Sequence, residues 1–251
     1  MRRPIAPRLW SASLSAYFSC ERRSRETEIR DRHPAALDGE TMMITRRHAL
    51  TLLAGASALG PLAPRAAFAQ SADMELLETA GPLGEMAKGD ENAPVTIYEY
   101  ASLTCGHCAT FHNQTWPLVK ERFVETGKVR LVMREFPLDT LALAGFMLAR
   151  CEPEKYWGIV DMLFELQREW AFSERPRDAL EQLMRQAGFS QEKFEACLND
   201  RALYDAIVDV KTRGEELGVN STPTFFFNGE MRRGALSIDE FEAVVTPMLE
   251  G

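Results

Sequence analysis

The sequence predicts an α/β domain in which a strand–helix–strand unit and a closing ββα unit are separated by a large helical insertion. Three observations carry this. Val95 to Tyr100 is crowded with β-branched and aromatic residues, a helical run follows to about Thr126, and Val129 to Phe136 is again strand-like, which is the order of a parallel βαβ unit. From about residue 139 to 217 apolar residues recur at helical spacing with no convincing strand. After Thr222-Pro223, strand patterning resumes and a last amphipathic helix closes the chain.

Taken from the N-terminus, residues 1–41 are Arg-rich without a sustained period. They read either as an upstream stretch preceding a true start at Met42 or Met43, or as a disordered extension. Residues 42–69 have the order of a signal peptide: Thr45-Arg46-Arg47-His48, an apolar small-residue stretch from Ala49 to Leu62, then Ala67-Phe68-Ala69 as a small-x-small cleavage site. The arginine pair resembles a twin-arginine export signal, although Ala49 stands where that signal usually has a large apolar residue, and a general secretion signal is the alternative. The stretch is too short and too rich in Ala and Gly for a spanning helix, which needs roughly 20 apolar residues. Export to the periplasm with cleavage near Ala69 is the expectation.

Residues 70–93 form a polar lead-in with little periodicity, expected to be ordered or semi-ordered, and the domain proper is expected from about Pro94 to the C-terminus, 94–251. In the first core strand, alternation sets Val95, Ile97 and Glu99 on one face and Thr96, Tyr98 and Tyr100 on the other. The helix after it carries Phe111, Leu118 and Phe123, with Pro117 expected to kink it. In the insertion, Ile159, Leu163, Leu166 and Trp170, then Leu180, Leu183 and Ala187, then Phe194 and Leu198, then Leu203, Ile207 and Val210 are core stripes. Gly218 fits the end of the last of these helices. Thr224 to Phe227 and Met231 to Gly234 pair around an Asn228-Gly229 hairpin signal. Ser237 and Glu240 form a capping box before Phe241, Val244, Val245 and Met248.

Composition narrows the function. The chain is 251 residues long, 45% hydrophobic, with net charge −8, enough to bury a sizeable core. Residues 1–69 hold 11 of the 29 Lys and Arg but only 6 of the 37 Asp and Glu, so residues 70–251 are strongly acidic. Such a domain lacks the electrostatic footprint for nucleic acid or anionic lipid, and neither is an expected partner. Cys20 falls in the segment expected to be removed, leaving Cys105, Cys108, Cys151 and Cys197, an even number in an oxidising compartment.

Cys105-Gly106-His107-Cys108 follows a predicted strand and opens a predicted helix. This is the context of a redox dithiol. A helix N-terminus offers unpaired N–H groups and positive dipole to a thiolate on the first residue, which makes Cys105 the nucleophile. Cys108, one turn in, is placed to attack a mixed disulfide and release the substrate. His107 is expected to donate to, or sit charged beside, the Cys105 sulfur. The alternatives are half a zinc site or a structural bridge, but zinc needs a second pair at defined spacing, and Cys151 and Cys197 are far apart; no metal and no cofactor is expected. His112, four residues past Cys108, reads as packing or capping. Cys151 and Cys197 form either a disulfide that staples the insertion or two buried inert thiols.

Tyr98-Glu99-Tyr100, Cys105-Gly106-His107-Cys108, the helical insertion and Thr222-Pro223-Thr224 together resemble the DsbA-like thiol:disulfide oxidoreductases of the thioredoxin superfamily, of the exported bacterial type. The resemblance runs from about Pro94 to the C-terminus and implies a thioredoxin fold with a helical insertion between its βαβ and ββα halves. It implies a cis Thr222-Pro223 bond facing the dithiol, with Thr222 and Pro223 contacting substrate peptide; a trans turn proline is the alternative. It also implies that Glu99 handles the proton of the buried resolving thiol, against the plainer possibility of a salt-bridged strand carboxylate. Taking a thiol from about 8.5 to about 3.5, the value DsbA itself reaches, is worth roughly 7 kcal/mol. A helix end supplies about 0.3 to 2 kcal/mol, so direct hydrogen bonds to the sulfur must contribute. The sequence departs from the best-known members at Gly106, where they carry proline.

The function implied is a monomeric periplasmic enzyme that donates its disulfide to reduced, unfolded exported polypeptides and is reoxidised by a membrane-bound, DsbB-like partner. An isomerase or reductase using the same dithiol is the first alternative, although the periplasmic isomerases carry a sizeable dimerisation domain for which 70–93 is too short. A non-catalytic chaperone-like module with a structural disulfide is the second.

Overall fold

The computed structural model describes residues 72–250. The expected start at Met42 or Met43, the signal peptide with its cleavage near Ala69, and Cys20 lie outside the described residues. Among the described residues no helix is long and apolar enough to cross a membrane.

A five-stranded mixed sheet in the order β1-β3-β2-β4-β5 forms the centre. Strands β2 (Val95–Ala101) and β3 (Val129–Glu135) are parallel, with Val95 opposite Val129 and Glu99 opposite Met133. β4 (Thr224–Phe227) runs antiparallel to β2 on its other side, placing Phe225 opposite Glu99. β2 is buried along nearly its whole length, as expected for a central strand covered on both faces. β5 (Glu230–Arg233) returns through a two-residue turn in which Asn228 has φ 44° and Gly229 φ 92°, the pair of positive φ values that a type I′ hairpin needs. Asn228 also accepts a hydrogen bond from the Thr96 N–H (2.8 Å).

The lead-in turns out to be part of the domain. Helix α1 (Met74–Glu78) buries Leu77 among Tyr98, Tyr100, Val132 and Phe226, and β1 (Met86–Lys88) pairs antiparallel with β3 at the sheet edge. Glu85 bridges Arg130 and Arg134 of β3. The domain start expected at about Pro94 is therefore too late. A three-residue edge strand is too short for alternation to register.

The helix opened by the dithiol is built of α2 (Gly106–Thr110), a π turn (Phe111–Thr115), α3 (Trp116–Val119) and a second π turn (Lys120–Val124). The expected disturbance at Pro117 takes this form: the helix widens in the turn before the proline, which has no N–H to give. Phe111, Trp116 and Phe123 pack on Val95, Ile97 and Phe225 of the sheet and on Phe241 of the C-terminal helix.

The insertion comprises α4 (Thr140–Arg150), a short 3-10 turn, α5 (Tyr156–Glu165), α6 (Gln167–Trp170), α7 (Pro176–Gln186), α8 (Gln191–Leu198) and α9 (Arg201–Glu216). Asp139, Ser190 and Asp200 cap α4, α8 and α9 by accepting backbone N–H bonds, each such cap worth about 1 kcal/mol. Phe146, Tyr156, Leu163, Trp170, Phe194 and Ile207 form its core, and Cys108 and Ala109 belong to that core too. The dithiol helix is thus shared between the sheet and the insertion. Glu135, at the end of β3, ties the two by accepting from Arg150 and from Tyr156 Oη (2.8 Å). α10 (Ile238–Glu250) closes the fold, its start held by the reciprocal Ser237–Glu240 box.

Candidate active site

Cys105 stands at the N-cap of α2 with extended backbone (φ −83°, ψ 119°). Its loop is held from three directions. Thr104 Oγ1 donates to Asp139 (2.7 Å), the Leu138 N–H donates to Ser102 Oγ (3.2 Å), and Gln167 Nε2 donates to the carbonyls of Leu103 (2.8 Å) and Cys105 (3.0 Å). Gln167 is buried and comes from α6, so the insertion fixes the nucleophile's loop. Sequence reasoning missed it, because nothing local marks a glutamine that pairs 62 residues away.

Cys105 and Cys108 are both free thiols, the first half-buried and the second fully buried. In its thiol form Cys105 donates to the Thr222 carbonyl oxygen (3.3 Å), and the Thr222-Pro223 peptide bond is cis. The hydrogen bond from the Cys108 thiol is the largest influence on Cys105. It lowers the pKa; burial opposes it, and the Thr222 side chain and the backbone N–H groups of Cys108 and His107 lower it further, to about 5. The Thr222 hydroxyl is buried and has no hydrogen-bond partner among the described residues, which leaves it free for the thiolate. Cys108 goes the other way: burial, then its contact with Cys105 and the charge of Glu99, push its thiol well above 9.0.

His107 is exposed. Its imidazole makes no hydrogen bond to the sulfur, and the residue acts through its backbone N–H. The expected side-chain role is corrected accordingly. The second position of the helix points a side chain outward, while its N–H faces back toward the cap.

Glu99 is fully buried on β2, on the Val95–Ile97 face. Both its oxygens accept from His112 Nε2 (3.0 and 3.1 Å). His112 is itself buried, stacked on Phe164 at 4.1 Å. Its assignment to packing is incomplete: the ring is the partner of the buried acid. A signal existed, because a second polar residue one turn past Cys108 shares its buried helix face. Cys151, at the end of α4, and Cys197, in α8, are joined by a disulfide with Cα atoms 5.9 Å apart. That pair is a link within the insertion, and Cys197 shares a buried core with Cys108.

A nucleophile held as thiolate beside a protonated, enclosed partner is suited to dithiol–disulfide exchange. Residues 83–246 match the family model described as Thioredoxin. A putative protein-disulfide oxidoreductase of Rickettsia conorii is 31% identical over 169 residues, 66% of this chain and 61% of that protein; the match thus leaves over a third of that relative's length unaccounted for. The crystal structure of Wolbachia pipientis alpha-DsbA1 is 29% identical, with TM-score 0.62 over 66% of this chain and 91% of that one. Oxidised BdbD of Bacillus subtilis, at 17% identity and TM-score 0.57 over 66% of this chain and 94% of that one, shares the fold. The chain belongs to the thioredoxin family, in its DsbA-like branch.

Proposed function

We propose that this chain is a periplasmic thiol:disulfide oxidoreductase that introduces disulfides into exported polypeptides. The opposite displacement of Cys105, to about 5, and Cys108, well above 9.0, carries this reading. In the oxidised form a substrate thiolate attacks Cys105 Sγ and the Cys105–Cys108 bond breaks, with Cys108 leaving. A second substrate thiolate then attacks the substrate sulfur of the mixed disulfide. The substrate disulfide forms, Cys105 leaves as a stabilised thiolate, and two electrons rest on the dithiol. A stabilised leaving thiolate favours the reduced pair, which is the property of an oxidant.

Glu99, the charge that bears on Cys108, hands Cys108 its proton on departure and takes it back on reoxidation. The Thr222 carbonyl accepts from the Cys105 sulfur, and Thr222 and Pro223 form the peptide-contacting edge. A DsbB-like membrane partner restores the disulfide, and the protein works as a monomer on reduced, unfolded chains. The signal-peptide order of residues 42–69, read from the sequence, supports the compartment.

The reduction potential, from equilibration with glutathione, tests this. A value near about −120 mV, as in DsbA, supports the oxidase; about −180 mV would favour an isomerase, and below about −300 mV the pair would be a structural bridge.

A further inference from the structure

When Cys108 leaves, its charge is enclosed: the sulfur has no exposure, and substrate covers Cys105 on the accessible side. Glu99 is equally enclosed. A proton must still arrive from outside, since a thiol pushed this far up is protonated at neutral pH. His112, itself buried, both meets Glu99 and lines a cleft. Its Nε2 meets both oxygens of Glu99, its ring borders a cleft of about 490 Å³ between the dithiol helix and α5, and neither Cys105 nor Pro223 lines that cleft. Its Nδ1 is buried without a hydrogen-bond partner among the described residues. Such an orphan acceptor is costly unless it has a use or a water.

We infer that His112 and Glu99 form a proton path from this cleft to Cys108, entering the site by a route separate from the substrate face. The proposal rests on the oxidoreductase reading and extends it. On reduction, Nδ1 accepts a proton from the cleft, Nε2–H passes its proton to Glu99, and Glu99 protonates the Cys108 thiolate. The ring is left in the opposite tautomer. On reoxidation the Cys108 proton returns through Glu99 to Nε2 and the Nδ1 proton leaves to the cleft, so each half-cycle resets the ring for the next.

The groups around this path are mixed in charge. Lys120 lies on the dithiol helix, Asp161 and Glu165 on α5, Lys88 on β1 and Glu99 on β2. Asp161 is held up by burial and drawn down chiefly by His112. Asp161 and Glu165 are the two carboxyls that line the cleft. His112 acts through Glu99 and does not touch the substrate.

The test is the rate at which the oxidised full-length protein is reduced by an unfolded dithiol peptide at pH 7, followed by tryptophan fluorescence. His112→Ala is expected to slow it about a hundredfold, the low end of general acid–base effects. Imidazole should restore the rate, whereas thiazole, similar in shape and far less basic, should not. The thiolate absorbance of Cys105 at 240 nm should keep its midpoint near 5. His112→Gln keeps an amide donor for Glu99 and fills the space, and serves if the alanine variant does not fold; it should be as slow and should not respond to imidazole. Wild-type rates in these variants, or equal restoration by thiazole, would overturn the path. A wild-type protein that exchanges no disulfides would defeat the oxidoreductase reading and the path with it. That result is distinct from failure of the path alone, in which wild type and variants exchange equally fast.

Discussion

Cys105 and Cys108 are three positions apart at a helix start, one half-buried and the other enclosed. Cys151 and Cys197 are 46 positions apart and join the end of α4 to α8. The first pair is surrounded by groups that distinguish its two sulfurs: N–H donors and the Thr222 side chain for one, an apolar core and a carboxylate for the other. The second lies against an apolar core of which Cys197 is part. Reactivity in this chain therefore comes from asymmetry of environment, since both pairs offer the same two atoms. A pair whose sulfurs differ in acidity can pass a disulfide on, while a pair spanning a long loop chiefly restricts the unfolded chain.

The largest effect that separates the two pairs is on stability. Replacing both Cys151 and Cys197 by Ala should lower the unfolding free energy of the oxidised protein by about 2–4 kcal/mol, as expected for releasing a loop of this size. The exchange rate of the folded protein should stay the same. Urea unfolding beside a peptide-oxidation assay checks both halves, and lost exchange with intact folding would break the comparison.

The next effect is on acidity. Cys108→Ala removes the largest stabilising hydrogen bond on Cys105, and should raise its 240 nm midpoint from about 5 by about one to two pH units, the worth of a charge-assisted bond. Cys108→Ser keeps a donor and should raise it less. Because the folded midpoint lies below the ordinary thiol value of 9.0, the thiolate's contribution to the stability of the reduced form is complete above about 9 and is lost as pH falls through 5. Reduced protein should accordingly gain stability relative to oxidised protein between pH 5 and pH 9 in matched urea titrations.

The smallest effect concerns Gly106. A Cβ built there meets no atom within 4 Å, and its N–H is not among the donors that hold Cys105. Gly106→Pro, at the first helical position, should fold normally and gain about 0.4–1 kcal/mol in unfolding measurements. The Cys105 midpoint should not move.

Much of this was legible from local pattern. The order of strands and helices, the hairpin at Asn228-Gly229, the capping box at Ser237 and the dithiol at a helix start all follow from residues within a few positions of one another. So does the face of β2 that Glu99 shares with Val95 and Ile97, from alternation. The edge strand Met86–Lys88 was not legible, because it exists only by pairing with β3. Gln167 was missed for the same reason, being known only by the carbonyls it reaches in the dithiol loop, and His112 was read as packing or capping alone because the acid it meets lies on a neighbouring strand.

By itself the sequence placed Cys105 and Cys108 at a helix start within an α/β domain that carries a helical insertion, because spacing and period are local properties of the chain. Only the tertiary structure decided which groups set the two thiols apart. It moved the role of His107 from its imidazole to its backbone, brought Thr222 against the sulfur, joined Cys151 to Cys197, and paired Glu99 with His112. Hydrogen bonds and desolvation act over a few ångströms in space, and the residues that supply them here lie up to 117 positions apart along the chain.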